Sequence, residues 1–165
     1  RDAGLSTLLI DLLTRDEDID YETRFNIGLL SDRLLAATRW LGEDEETRGM
    51  KIGYFGASTG AAAALTASVA LKGRISAVVS RGGRPDLALG SLPDVTAPTL
   101  LIVGADDEVV VEFNEKAYSL LRSEKDLVIV PGATHLFEEP GTLDLVAGHA
   151  ARWFVRYLGT SVKVA

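Results

Sequence analysis

Residues 50–70 read MKIGYFGASTGAAAALTASVA, and this stretch changes from strand-like to helix-like over a few residues. The apolar and aromatic run from Ile52 to Phe55 is typical of a buried strand, and the alanine-rich run after Gly60 has the composition of a helix. Ser58 stands between the two. The stretch therefore predicts a strand, a tight turn with a serine at its apex, and a helix.

The turn itself has the pattern G-x-S-x-G, from Gly56 to Gly60. A direct turn from strand to helix forces the serine into a strained conformation, and we expect Gly56 and Gly60 to be required because they lack a Cβ. The Ser58 hydroxyl would then stand clear of the sheet edge. The N–H of Thr59, at the helix N-terminus, would point toward an oxyanion formed there.

Two other interpretations of this turn involve no serine chemistry. A glycine-rich turn can serve only to let a strand and a helix pack closely. Gly53, Gly56 and Gly60 could also cradle a phosphate, but the chain has neither G-x-G-x-x-G nor a P-loop Lys-Ser/Thr here.

Length and composition favour one compact domain. The chain has 165 residues, 47% of them hydrophobic, and its formal net charge of −7 argues against binding to nucleic acid or to anionic membranes. It has no cysteine and no apolar run of the ~18 residues that a membrane span needs. We expect a cytoplasmic protein.

The rest of the chain alternates strand-like and helix-like segments. The pattern predicts strands at 7–12, 50–55, 75–79, 99–103 and 127–130, and helices at 25–41, 61–73, 110–122 and 141–158. Gly42 and Gly73 are the predicted stops of the first two helices. Alternation with nearly continuous apolar strands predicts an α/β fold with a mostly parallel sheet covered by helices on both faces.

Polar candidates follow three successive predicted strands. They are Ser58, then Asp106 or Asp107, then His135. Because functional groups collect at the carboxyl ends of parallel strands, these side chains are expected at one edge. Serine needs a base to become a nucleophile, imidazole can serve near neutral pH, and a carboxylate can orient it.

Few residues of the chain could serve as the base or as the acid. The chain has two histidines: His135 follows a strand, whereas His149 falls inside the last predicted helix, where a structural role is the plain interpretation. Of the two acids, Asp107 is the preferred triad member, and the other aspartate is expected to cap a helix or to face solvent. The charged loop 15–22 lacks the alternating ligands of an EF-hand, so no metal site is expected.

Four segments of the chain are similar to those of a known family: GYFGASTGAAAAL (53–65), VVSRGGRPDLA (78–88), APTLLIVGADDEVVVEFNEKA (97–117) and PGATHLFEEPG (131–141). Through them the sequence resembles the dienelactone hydrolase-like branch of the α/β-hydrolase superfamily. It is especially similar to hydrolases found alone or fused to a phosphoribosyltransferase domain in bacteria. It implies Ser58 as nucleophile, Asp107 as acid and His135 as base. Authentic dienelactone hydrolases use a cysteine nucleophile, so serine here favours general ester or thioester chemistry.

The chain also departs from the family. The second oxyanion donor of the family follows a strand that has no counterpart here, and in the family's sheet order that strand lies between those predicted at 7–12 and 50–55. An interior strand cannot be omitted without leaving backbone groups unpaired. We therefore expect residues 1–165 to be the C-terminal part of a larger hydrolase domain, or another chain to supply the strand. Without it, loss of an oxyanion donor costs about 10²–10³ in rate.

Two arginines lie at the end of the strand predicted at 75–79. Arg81 and Arg84 could bind a carboxylate or phosphate of a substrate, with Arg81 preferred. They could equally form salt bridges with Asp86 or another loop acid.

Taken together, the residues and the resemblance predict a serine hydrolase that acts on a carboxylic ester, lactone or thioester. Ser58, His135 and Asp107 would form the triad, and Thr59 would contribute the oxyanion N–H. No metal or organic cofactor is expected. The alternatives are a hydrolase-like module that only binds or assembles, and an acyltransferase with the same triad. The sequence leaves open a homo-oligomer and a fused or partner domain.

Overall fold

The computed structural model describes residues 3–159. Its centre is a sheet of four parallel strands in chain order. The strands are β1 (Ile52–Ala57), β2 (Ile75–Arg81), β3 (Thr99–Gly104) and β4 (Lys125–Val130), and the α-helices are α1 (Ile27–Glu43), α2 (Thr59–Ala70), α3 (Glu108–Leu120) and α4 (Thr142–Leu158). Short 3-10 helices lie at Glu17–Ile19, Tyr21–Phe25, Pro85–Ala88 and Leu92–Asp94. The predicted α/β fold class is confirmed.

The sheet separates two apolar cores. Neighbouring strand residues point to opposite faces, so Val78 belongs to one core and Val79 to the other. The first core contains Leu65 of α2 and also receives side chains of α1 and α3. The second contains Trp153 of α4, with Phe154 and Tyr157 packed against it, as the apolar side of the last predicted helix required. Helices therefore cover both faces of β2 and β3.

Side-chain caps explain where α1 begins and ends. The Asn26 side chain accepts the N–H of Leu29 at 3.1 Å, so the helix begins at Ile27 and Phe25 lies in the preceding 3-10 helix. At the other end, the prediction that the helix stops at Gly42 is wrong. The helix passes through it to Glu43, and the Asp44 carboxylate then turns the chain by accepting the N–H of Glu46 at 3.0 Å.

The prediction of a strand at 7–12 is wrong, because residues 5–11 form no regular secondary structure in the described chain. Leu8 and Leu9 are 52% and 99% exposed. A strand needs a neighbour for its backbone N–H and C=O groups, and this segment has none. Within residues 3–159, β1 pairs with β2 alone, so its other edge is open.

A groove runs along this open edge. Residues 6–15 line one side and residues 50–57 of β1 and its approach line the other, with parts of α1 beneath them. Its volume is about 1020 Å³, and it reaches Thr59 and Gly60 at the start of α2. We call it the β1 groove.

An arginine of α1 holds the far wall of the β1 groove. Arg33 donates to the Leu12 carbonyl at 2.8 Å and forms a salt bridge with Glu17. This hydrogen-bonded guanidinium, helped by Thr14, lowers the pKa of Glu17 to about 2. Segment 12–17 is thus attached to α1 by polar contacts although the apolar side chains before it are exposed. No helix among residues 3–159 is long and apolar enough to cross a membrane.

Candidate active site

Ser58 occupies the turn between β1 and α2 in a conformation that is rare for a residue with a side chain. Its φ is 50° and its ψ is −123°. Backbone bonds hold this strained geometry: the Ser58 N–H donates to the Arg81 carbonyl at 3.3 Å, and the Ser58 carbonyl accepts the N–H groups of Ala61 and Arg84, each at 3.1 Å. The end of β2 and the loop after it therefore fix the backbone of the serine.

The two motif glycines are not equivalent. A Cβ on Gly56 would lie 2.5 Å from the Gly60 carbonyl oxygen and 2.6 Å from the backbone of Ala61, so only glycine lets β1 lie this close to α2. A Cβ on Gly60 would meet nothing within 4 Å outside its own helix. The expectation that Gly60 must lack a Cβ is wrong, because this position faces the open β1 groove.

Asp107 and His135 are in contact. The His135 Nδ1 lies 2.7 Å from Asp107 Oδ2, and the two side chains are 40% and 18% exposed. Asp107 occupies the N-cap position of α3, yet its side chain makes no capping bond and is free to accept from the imidazole. The Asp106 side chain is exposed. Its backbone N–H donates to the Ala133 carbonyl at 3.0 Å, which ties the two loops together.

Gly104 allows the histidine loop, residues 131–141 between β4 and α4, to come close to the end of β3. A Cβ at Gly104 would lie 2.2 Å from the Ala133 carbonyl oxygen. The loop is also braced internally, since the Glu139 carboxylate accepts the Thr134 hydroxyl at 2.6 Å and its N–H at 3.2 Å. These bonds from Thr134 lower the pKa of Glu139. The sequence does not predict this brace, because its only signal there is an acid five residues after a threonine.

The end of β2 lies between Ser58 and His135. Ser58 is bonded to Arg81, and a Cβ on Gly82 would lie 3.1 Å from the His135 carbonyl oxygen and 3.6 Å from its Nδ1. Within residues 3–159, no hydrogen bond joins the Ser58 hydroxyl to His135. Thr59 is the first residue of α2, and the first N–H groups of a helix have no partner inside it. His149 is half-buried within α4.

The two arginines differ in their contacts. Arg84 forms a bidentate pair with Asp86, at 2.9 Å and 2.7 Å. Arg81 has no salt bridge within the described residues; it donates to the Leu136 carbonyl at 3.2 Å and lies over the Phe137 ring at 5.6 Å. Burial lowers the pKa of Arg81. It lines a pocket of about 460 Å³ together with apolar side chains of β1, α4 and the histidine loop.

Residues 9–158 match the model of the dienelactone hydrolase family. The chain belongs to this family. A solved structure of a dienelactone hydrolase from Anabaena variabilis is similar, with 55% identity and a TM-score of 0.85 over 90% of this chain and 70% of that one. Est1E from Butyrivibrio proteoclasticus shares the fold at 15% identity, with a TM-score of 0.69 over 79% of this chain and 70% of that one.

Curated relatives from Mycobacterium tuberculosis strains CDC 1551 and H37Rv carry the provisional name phosphoribosyl transferase. They are 53% identical over 156 residues, which is 94% of this chain and 35% of each relative. The chain thus spans about a third of the length of these relatives. The recognised resemblance is confirmed, and the family supports an enzyme of the hydrolase kind.

Replacing Gly56 by alanine tests the close approach of β1 and α2. Because the new methyl group would meet backbone atoms, we expect Gly56→Ala to destabilise the protein by about 1–3 kcal/mol. Gly60→Ala is the matched control, and its effect should stay within about 1 kcal/mol, toward greater stability, since alanine favours helix. Urea unfolding of both variants gives the comparison. Equal effects at the two positions would contradict the geometry.

Proposed function

We propose that this chain carries the catalytic triad of a serine hydrolase that acts on carboxylic esters, lactones or thioesters. The observation that supports this most is the 2.7 Å contact between Asp107 and His135 at the edge where Ser58 occupies its strained turn. Family membership supports the hydrolase class, and the residues supply the finer assignment. The cytoplasm is the compartment we expect.

In the proposed reaction the Ser58 oxygen attacks the substrate carbonyl while His135 takes the serine proton through Nε2. Asp107 accepts a hydrogen bond from the Nδ1–H group of His135 and stabilises the imidazolium. The tetrahedral oxyanion accepts the Thr59 N–H. His135 then protonates the leaving alcohol or thiol, and the acyl group stays on Ser58. Water attacks this ester with His135 as base, which releases the acid and restores the serine.

The proposed nucleophile and its base are both held by neighbouring groups. Its backbone is held by the bonds to Arg81 and Arg84, and His135 is held by Asp107. Catalytic hydrogen bonds are often long before a substrate binds and shorten in the reacting complex. The fixed backbones and the free hydroxyl are compatible with this behaviour.

The second oxyanion donor is proposed to come from a strand seated in the β1 groove. The β1 edge is unpaired, and Leu8 and Leu9 on the opposite wall are exposed, so an extended segment would satisfy backbone groups and cover apolar surface. The groove reaches Thr59, which brings the end of that strand to the oxyanion N–H. We propose that polypeptide outside these 165 residues supplies it, within one larger hydrolase domain.

Arg81 indicates which class of substrate the proposed enzyme would prefer. Its guanidinium has no acidic partner in the described chain and lies beside an apolar pocket lined by Phe55 and Leu143. A partly desolvated guanidinium without a carboxylate partner favours binding of an anionic group. We propose that acyl groups bearing a second carboxylate are preferred.

Labelling by a fluorophosphonate probe tests the triad. We expect intact-mass labelling of the wild-type protein and none of Ser58→Ala, because the serine oxygen forms the bond to phosphorus. Asp107→Asn should slow ester hydrolysis by a factor on the order of 10³–10⁴, since the imidazole loses the group that orients it. Asp106→Asn is the matched control.

Asp106→Asn should hydrolyse the ester at nearly the wild-type rate. A folded wild-type protein that stays unlabelled would refute catalysis and favour the binding module. Labelling with turnover only in the presence of an alcohol or thiol acceptor would identify an acyltransferase.

A comparison of residues 1–165 with a longer protein that includes the proposed additional polypeptide tests the strand in the β1 groove. We expect the longer protein to be labelled about 10²–10³ times faster, the factor that one oxyanion donor contributes in other enzymes. Hydrogen exchange of the β1 amides should also slow in the longer protein. Equal rates and equal exchange would contradict the proposal, and rescue by a separately added chain would identify a partner instead.

Arg81→Met tests the preference for acidic acyl groups. We expect kcat/KM for the para-nitrophenyl monoester of glutaric acid to fall about 10- to 100-fold, because a charge-assisted hydrogen bond contributes about 1.5–3 kcal/mol. Hydrolysis of para-nitrophenyl pentanoate, which lacks the carboxylate, should change little. Arg84→Met is the matched control and should not distinguish the two esters. An equal loss on both esters in Arg81→Met would contradict the assignment.

A further inference from the structure

Asn114 is a buried polar residue in the middle of α3, and its contacts are unusual for a core position. Its side chain is fully buried, and its Nδ2 donates to the Val110 carbonyl at 2.8 Å and to the Gly83 carbonyl at 3.0 Å. Its Oδ1 is buried and has no hydrogen-bond partner among residues 3–159. Asparagine is a poor helix former, and an unpaired buried carbonyl is unfavourable, so α3 itself gains little from this residue.

The bond from Asn114 reaches a loop that touches both sides of the candidate site. The carbonyl it holds belongs to Gly83, and the next N–H, that of Arg84, donates to the Ser58 carbonyl at 3.1 Å. The residue before it, Gly82, lies against His135. Residues 82–84 therefore stand between the serine and the histidine.

This loop has little room to shift toward the sheet. A Cβ on Gly83 would lie 1.9 Å from the Ser80 oxygen and 2.7 Å from the Ala61 Cβ, so the loop is wedged against β2 and α2 on one side. On the α3 side, the Asn114 amide fastens it. The hydrogen bond from the Asn114 side chain thus holds this tightly packed loop on the α3 side.

Asn114 also lies on the same face of α3 as Asp107, the residue in contact with the His135 imidazole. It follows Asp107 by seven residues, close to two turns, so the two positions lie on the same side of α3. One helix therefore carries the histidine's partner at its N-cap and the anchor of the serine's loop in its middle. Any displacement of α3 would move both groups together.

We propose that Asn114 is a positioning residue that sets the relative placement of Ser58 and the Asp107–His135 pair through Gly83. The proposal rests on the proposed serine hydrolase function. Asn114 acts through the loop and touches no substrate. Small misplacements of reacting groups can lower a rate by about 10²-fold. The hydrogen bond from Asn114 to Gly83 therefore affects the rate of reaction in addition to its contribution to folding.

The test uses the full-length protein with Asn114→Leu and Asn114→Asp. Leucine removes the donor and the unpaired carbonyl together, and aspartate keeps the shape but presents oxygens to the Gly83 carbonyl. We expect the fluorophosphonate labelling rate, and kcat for a para-nitrophenyl ester, to fall about 10- to 100-fold in both variants with little change in KM. Ser68→Ala removes a buried side-chain hydrogen bond to a backbone carbonyl outside this loop and is the matched control.

Thermal unfolding and hydrogen exchange separate this role from a structural one. Rates are compared well below Tm, where all variants are folded, and the Arg84 amide should exchange faster in both Asn114 variants than in Ser68→Ala. Wild-type labelling rates and wild-type exchange in Asn114→Leu would overturn the inference. If the wild-type protein itself is not labelled, the proposed function fails, and the Arg84 exchange alone decides whether Asn114 fixes the loop.

Discussion

The close approach of β1 to the first turn of α2 is the constraint on which the site depends. Gly56 lies so near Gly60 and Ala61 that the chain turns from strand to helix at once, and Ser58 is left with a positive φ. That conformation is unfavourable by itself, and bonds to the Arg81 carbonyl and the Arg84 N–H hold it. The serine is thus fixed by the strand next to its own, and the end of β2 cannot move without disturbing it.

Local patterns explain why so much of the sheet was predictable. The strands β1 to β4 are short apolar runs, and each is followed by a helix whose apolar side matches the face that it covers. Residues 7–12 have the same pattern and still form no strand. Pairing is a non-local property: the β1 groove separates residues 6–15 from the open edge of β1, and no other strand of the described chain lies beside them. The sequence pattern marks which segments are able to pair, and the presence of an adjacent strand decides which of them do.

The candidate site likewise depends both on local sequence patterns and on contacts between residues far apart in the chain. The elbow, the strand ends and the order Ser, Asp, His follow from the sequence, but the choice between adjacent aspartates depends on the turn at Gly104, which directs Asp107 to His135. The two arginines are equally plausible anion-binding residues by position. Arg84 reaches Asp86 two residues away, whereas Arg81 extends across the sheet edge to Leu136. Asn114 gave no signal at all, because its partner Gly83 is 31 residues distant.

The two sides of Ser58 differ in how completely the described residues surround the groups of the proposed reaction. On one side, the groups for the proposed proton transfer follow β3 and β4, and Gly82, Gly83 and Gly104 each allow a close backbone approach there. On the other side, Thr59 borders the open β1 groove. An unpaired strand edge beside exposed leucines is a site where other strands add readily. A strand that paired with the backbone of β1 would therefore complete both the sheet and the proposed oxyanion site, so folding and the proposed catalysis would depend on one neighbour at this edge.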